Sequence, residues 1–223
     1  MVRPVLGEMV MKIGVLGTGA VGQTLGGKLV QLGHDVMMGA RSADNEKAVA
    51  FATQSGGNAG SFTDAARHGE LIIHCARGNS AIDVLRQAGA ENLAGKVLID
   101  VSMPLDFSKG FPPSLFVSNT DSLGEMIQRE FPDARVVKTL HTVNAAIMID
   151  PGKIHGAHTM FVSGNDLPAK GKAMDLLRSF GWQSIIDLGD ITTARGTEML
   201  LPLWVRLYTT LGTAEFNIAV LKK

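Results

Sequence analysis

The chain carries one cysteine, Cys75, and one tyrosine, Tyr208, among 223 residues. A lone cysteine excludes an intrachain disulfide and any Cys-rich zinc or iron–sulfur site, and it suits a reducing, cytoplasmic compartment. An excess of charge is lacking too. The 21 Lys+Arg face 21 Asp+Glu, which leaves a formal net charge of zero. Without a basic face, neither nucleic acid nor an anionic membrane is the expected partner. Long apolar runs are also missing. The most apolar stretch, Met199 to Leu211, is interrupted by Pro202, Arg206, Thr209 and Thr210. Nothing approaches the ~20 residues that a membrane-spanning helix needs. Gly7 and Glu8 interrupt the first ten residues, which read as an extension rather than an export signal.

What is present points to a packed globular chain. Hydrophobic residues reach 45% and charged residues 19%, which excludes disorder. The mean hydropathy of +0.16 is high enough to suggest buried strands and a buried subunit interface. From Met11 onward, short apolar runs alternate with helical segments. The run Lys12 to Leu16 precedes a helix over about 21–32, and Val36 to Gly39 precedes a helix over about 45–55. A weak strand at 59–62 follows. Leu71 to Ala76, Val97 to Val101 and Arg135 to Leu140 come next, with helices over 80–88 and 122–130 and a Pro-rich loop (Pro104, Pro112, Pro113) between them. Strands at 159–163 and 183–187 bracket a helix over 168–180, and a mainly helical tail runs from about Thr192 to Val220. Strands apolar throughout and separated by helices predict a doubly wound, mainly parallel α/β sheet of Rossmann type. Residues 11–190 form that domain, preceded by an extension over 1–10. A short helical tail over 191–223 completes the ligand cleft.

The first strand runs directly into Gly17-Thr18-Gly19-Ala20-Val21-Gly22, a G-x-G-x-x-G that also opens a helix. That context makes the motif a dinucleotide-binding loop. Gly17 permits the tight turn, Gly19 lets backbone approach a pyrophosphate, and Gly22 lets helix and strand pack closely. The end of the second strand then selects the nucleotide. Where an NAD site places Asp or Glu on the ribose hydroxyls, this chain has Ala40, Arg41 and Ser42, and Asp35 lies at the opposite end of the strand. A guanidinium pairs with a 2′-phosphate and Ser42 adds a hydrogen bond, so the expected cofactor is NADP(H). Cys75, a small hydrophobe rather than a nucleophile, Ala76 and Arg77 at the end of the fourth strand, and Ser102 after the fifth, complete the candidate cofactor contacts.

Several chemistries are absent. The only tyrosine is followed four residues later by Gly212, so no Tyr-x-x-x-Lys pair exists. His155 and His158 have H-x-x-H spacing without a nearby acid or thiol, and no metal site is expected. The tail is too short for a substrate domain, so the hydride partner should lie in an open cleft at the carboxyl ends of the strands. His141 and Thr142 should face that cleft, with a purely structural hydrogen-bonding role as the alternative. A role for Lys138 in binding an anion is open. Met199, Leu200, Leu203, Leu207 and Leu211 recur at helical spacing, which gives an apolar stripe for packing on the sheet or for a symmetric homodimer.

The chain resembles the NADPH-dependent reductases of the deazaflavin coenzyme F-420. The likeness rests on Lys12 to Gly22, on Leu32-Gly33-His34-Asp35-Val36, on Gly39-Ala40-Arg41-Ser42 and on Val136 to Ala146. A Pro-containing helix through Glu198, Leu203, Gly212 and Glu215 adds to it. The resemblance implies that NADPH lies across the glycine loop. Deazaflavin would stack on its nicotinamide near His141, Thr142 and the tail helices, and hydride would pass between the two rings. It also implies that His141 positions the deazaflavin by a hydrogen bond and abstracts no proton. The alternatives are a flavin or another small conjugated acceptor in the same cleft, or a non-catalytic NADP(H)-binding sensor.

Overall fold

The structure is a computed structural model describing residues 10–223, so most of the expected 1–10 extension lies outside the described residues. The elements in chain order are β1 (Lys12–Leu16), α1 (Ala20–Gln31), β2 (Asp35–Ala40), α2 (Glu46–Ser55), β3 (Asn58–Ser61), α3 (Phe62–His68) and β4 (Leu71–His74). They continue with α4 (Ala81–Ala88), α5 (Ala90–Leu93), β5 (Val97–Asp100), β6 (Leu105–Asp106), β7 (Ser114–Leu115), α6 (Leu123–Glu130) and β8 (Arg135–Lys138). The last are α7 (Ala145–Ile149), β9 (Thr159–Gly164), α8 (Leu167–Ser179), β10 (Ser184–Gly189), α9 (Ala194–Glu198) and α10 (Leu201–Leu211).

Eight strands form one sheet in the order β10-β9-β8-β5-β4-β1-β2-β3. Every pairing is parallel except β8 with β9. The doubly wound, mainly parallel α/β fold expected from the sequence is therefore the observed one. Side-chain alternation along each strand divides the core in two. Ile13 and Val15, Leu71 and Ile73, and Val97 and Ile99 face one layer, with Leu25 and Leu29 of α1, Phe51 of α2 and Leu177 of α8. Leu16, Ile72, Leu98 and Val136 face the other, with Ala65 of α3, Leu85 of α4 and Ile127 of α6. Each fully buried Leu or Ile contributes about 1.5–3 kcal/mol.

Local chemistry ends the helices where the sequence signals it. Ser61 and Asp64 form a reciprocal capping box on α3. Asn45 caps α2, which stops at the left-handed Gly56. Asp166 caps α8, with Pro168 in its first turn.

Two expectations are corrected. The segment after β5, read as a loop, contains the antiparallel pair β6–β7, in which Leu105 faces Leu115. The tail is helical only to Leu211. Left-handed Gly212 caps α10, and the remaining residues run without helix beside the start of β9. There the Thr159 N–H donates to the Ile218 carbonyl at 2.9 Å, and the Asn217 amide bonds the Thr159 carbonyl at 3.1 Å. A backbone partner in the sheet displaces the helix that spacing alone suggested. Among the described residues no helix is long and apolar enough to cross a membrane.

Candidate functional site

The chain winds outward from β1 in one direction through β2 and β3, and in the other through β4 and β5. This reversal leaves a crevice at the carboxyl ends of β1 and β4, where open α/β sheets place their ligands. The glycine loop fills its mouth. Gly17 has a φ of +127°, a conformation that side chains resist. A Cβ at Gly22 would lie 2.0 Å from the Gly17 carbonyl oxygen, so only glycine lets α1 approach the turn this closely. A Cβ at Gly19 would meet nothing within 4 Å, and so faces open space.

Gly19 is also the N-cap of α1, with no side-chain cap and no acid in the first turn. The first intrahelical bond runs from the Gln23 N–H to the Gly19 carbonyl at 3.0 Å, which leaves the preceding amides free. Free amides and the positive end of a twelve-residue helix dipole suit a pyrophosphate without further side chains. At the end of β2, Ala40 is buried while Arg41 and Ser42 are exposed. No ion pair engages Arg41 among the described residues. Asp35, at the far end of that strand, pairs with His68 at 3.3 Å. These features fit NADP(H): an uncapped turn for the phosphates and an unengaged guanidinium for a 2′-phosphate.

A cavity of about 1140 Å³ opens beside this turn. Of the sequence-predicted residues, Gly19, Ala20, Val21, Cys75, Ala76, Arg77 and Ser102 line it. Gly17, Thr18 and Gly22 build the turn behind it, and Ala40, Arg41 and Ser42 stand apart at the β2 end. Sequence reading missed the far wall. Leu105 to Ser108 and Phe116 reach the cavity from the β6–β7 hairpin, and Leu123 and Met126 from α6. Phe107 is 58% exposed, an apolar ring at the rim rather than in the core. A second missed contact is Gly78, where a Cβ would lie 1.9 Å from the Met103 carbonyl oxygen, so the loops after β4 and β5 touch. The run Pro104, Pro112 and Pro113 around three phenylalanines was the available signal for the hairpin.

His141 and Thr142, expected to face the cleft, are buried and do not line it. The reason is a tight turn after β8. The His141 N–H bonds the Thr139 carbonyl at 2.8 Å across Leu140, whose φ is +65°. Neither ring nitrogen of His141 makes a hydrogen bond, and the Thr142 hydroxyl is likewise unpartnered. Burial, and next the Lys138 charge, push the His141 pKa down to about 3, with the Asp100 charge opposing them. The ring is therefore neutral at physiological pH. No residue of the tail lines the cavity.

Beneath the cavity lies a buried ionic cluster. The Lys138 ammonium contacts Asp100 at 2.8 Å and Glu198 at 3.1 Å. Asp100 also accepts from the His74 Nδ1 at 2.8 Å, which assigns the ring proton to that nitrogen. Burial alone would raise the Asp100 carboxyl, but Lys138 and then His74 outweigh it and hold it below the usual range. Burial likewise disfavours the Lys138 charge, yet Asp100 and Glu198 reverse this and raise its pKa. Glu198 in α9 also accepts the Leu123 and Gly124 amides at 2.8 and 3.0 Å, capping α6. Lys138 is thus committed to internal acids, which excludes the anionic ligand left open above. Cys75 has its thiol pushed up by burial and then by the Asp100 charge, so it is no nucleophile. His158 bonds the Pro151 carbonyl at 2.9 Å and Asn217 at 2.9 Å, a structural role.

The comparisons with known proteins agree with this geometry. A family described as "NADP oxidoreductase coenzyme F420-dependent" matches residues 12–104. A solved structure from Arthrobacter sp. FB24, provisionally named an F420-dependent NADP reductase, is 52% identical. The alignment covers 95% of this chain and 100% of that one, with a TM-score of 0.91. The F420-dependent NADP reductase of Methanocaldococcus jannaschii is 28% identical, over 91% of this chain and 96% of that protein. Metalloreductase STEAP3 of Rattus norvegicus is 28% identical over 86% of this chain, which spans only 38% of that protein's length. The chain belongs to the coenzyme F420-dependent NADP oxidoreductase family and is an NADP-dependent oxidoreductase.

Proposed function

We propose that the chain exchanges hydride between NADP(H) and a deazaflavin of the F420 type, with both rings in the cavity beside the glycine turn. The observation that carries the cofactor half is the uncapped start of α1 opening on that cavity, with Arg41 unengaged at the end of β2. In this reading the amides of Gly19 to Gly22 hold the pyrophosphate, and Arg41 and Ser42 hold the 2′-phosphate. Ala76, Arg77 and Ser102 contact the nicotinamide half, and Cys75 packs under it.

The acceptor half rests on family membership and on space. The volume of about 1140 Å³ exceeds the ~300–1,000 Å³ of an ordinary single-ligand site, so two rings can stack there. When bound, the pair supplies the chemistry itself, hydride passing between nicotinamide C4 and the deazaflavin ring. This chain's residues bind, align and exclude water. Phe107 and Phe116 on the hairpin wall off the rim.

The assembly we propose is a homodimer through α10. Leu201 and Val205 are buried, whereas Leu203 and Leu211 are half exposed, so the stripe is only partly used by its own chain. A single cysteine suits a reducing cytoplasm.

The experiment is NADPH oxidation followed at 340 nm with deazaflavin, FMN and no acceptor in parallel. Rapid turnover with deazaflavin alone is expected. Comparable rates with FMN would move the assignment to flavin reduction, and bound NADPH without turnover of either would favour a sensor.

A further inference from the structure

Ser102 combines two features. The residue is 3% exposed and lines the cavity, and its hydroxyl is buried with no hydrogen-bond partner. Its backbone, by contrast, is held at both ends. The Ser102 N–H donates to Asp100 Oδ1 at 3.1 Å, and the Ser102 carbonyl accepts from Lys138 Nζ at 2.5 Å. The two groups that grip it also grip each other, and both side chains are wholly buried. Asp100 is the last residue of β5 and Lys138 the last of β8, so the clamp is anchored in the middle of the sheet. His74 at the end of β4 and Glu198 in α9 hold the clamp in turn.

A buried ion pair of this kind is weak evidence for stability, since apolar replacements of similar volume are often neutral. Its bonds to the Ser102 backbone give it another use. A buried hydroxyl without a partner is costly unless a ligand or water completes it. We propose that Asp100 and Lys138 are positioning residues which fix Ser102 so that its hydroxyl hydrogen-bonds the carboxamide end of the nicotinamide half. The inference rests on the NADP(H) reading above. It places the ring over β4 and β5, on the side of β1 away from Arg41.

Calorimetry with two ligands tests this independently of any acceptor. NADPH carries the nicotinamide half, whereas adenosine 2′,5′-bisphosphate carries only the part that Arg41 and Ser42 would hold. Three variants are compared with the unmodified chain: Ser102→Ala, Asp100→Asn combined with Lys138→Met, and all three substitutions together. Ser102→Ala keeps every bond of the clamp, because those bonds use the Ser102 backbone. The expected result is a loss of NADPH affinity of about five-fold in each, with the triple variant no weaker than either parent. Affinity for the bisphosphate should stay within two-fold, which also reports an intact fold. Unchanged NADPH affinity in Ser102→Ala, or losses that multiply in the triple variant, would overturn the proposal. If the charge-removing variant does not fold, Lys138→Arg takes its place, with the same pattern of losses expected. Failure of the unmodified chain to bind either ligand would instead overturn the NADP(H) reading itself.

Discussion

Acid should destabilise this protein through a histidine that never accepts a proton while folded. Burial and the Lys138 charge hold the His141 pKa at about 3, against about 6.5 in an unfolded chain. Between those values the unfolded chain binds a proton that the folded chain refuses, so stability falls as pH falls through this window. Integrating from pH 8 to pH 5 gives a loss of about 2 kcal/mol from His141 alone. Asp100 adds little in that range. Its folded pKa is held down, and its stabilising contribution is lost only at lower pH, as its unfolded value near 3.9 is passed. The assay is urea unfolding at both pH values for the unmodified chain and for His141→Gln, which keeps a neutral polar group without the titration. At ~1–3 kcal/mol per molar urea, the unmodified midpoint should drop by about 1 M more than that of the variant. Equal acid losses in the two proteins would refute the reasoning, because they would place the destabilisation in other groups.

Further expectations follow from the same geometry. Arg41→Glu should weaken NADPH binding about 10–100-fold and leave NADH binding nearly unchanged, as titration of each nucleotide will show, since only the 2′-phosphate loses its partner. Gly22→Ala puts a Cβ 2.0 Å from the Gly17 carbonyl oxygen. It should cost about 1–3 kcal/mol in thermal unfolding and abolish tight NADPH binding together. Leu203→Glu combined with Leu211→Glu should convert a dimer to a monomer in sedimentation at micromolar concentration. A monomeric unmodified chain at that concentration would remove the proposed interface.

The parts of the fold legible in the sequence are those that local rules determine. The strand into Gly17, the glycine turn and the helix behind it are contiguous, and their spacing carries its own physical reason. The identity of the residue after β2 is equally local, so Arg41 could be singled out at once. The β6–β7 hairpin was not legible because two-residue strands show no alternation, and three prolines suggested an irregular loop. The ionic cluster was hidden for a different reason. Asp100 and Lys138 meet only because β5 pairs with β8, a matter of sheet order rather than sequence. A charged residue closing each of two strands was its only signal. His141 was placed correctly at the carboxyl end of its strand. Its burial depends on the turn at Leu140, whose positive φ no residue type announces.

The central claim is that the crevice at the end of β1 selects the phosphorylated dinucleotide. Isothermal titration of the unmodified chain with NADP and with NAD tests it most directly. The account predicts one site, with NADP bound at least about ten-fold more tightly. Equal affinities, or no binding of NADP, would contradict it.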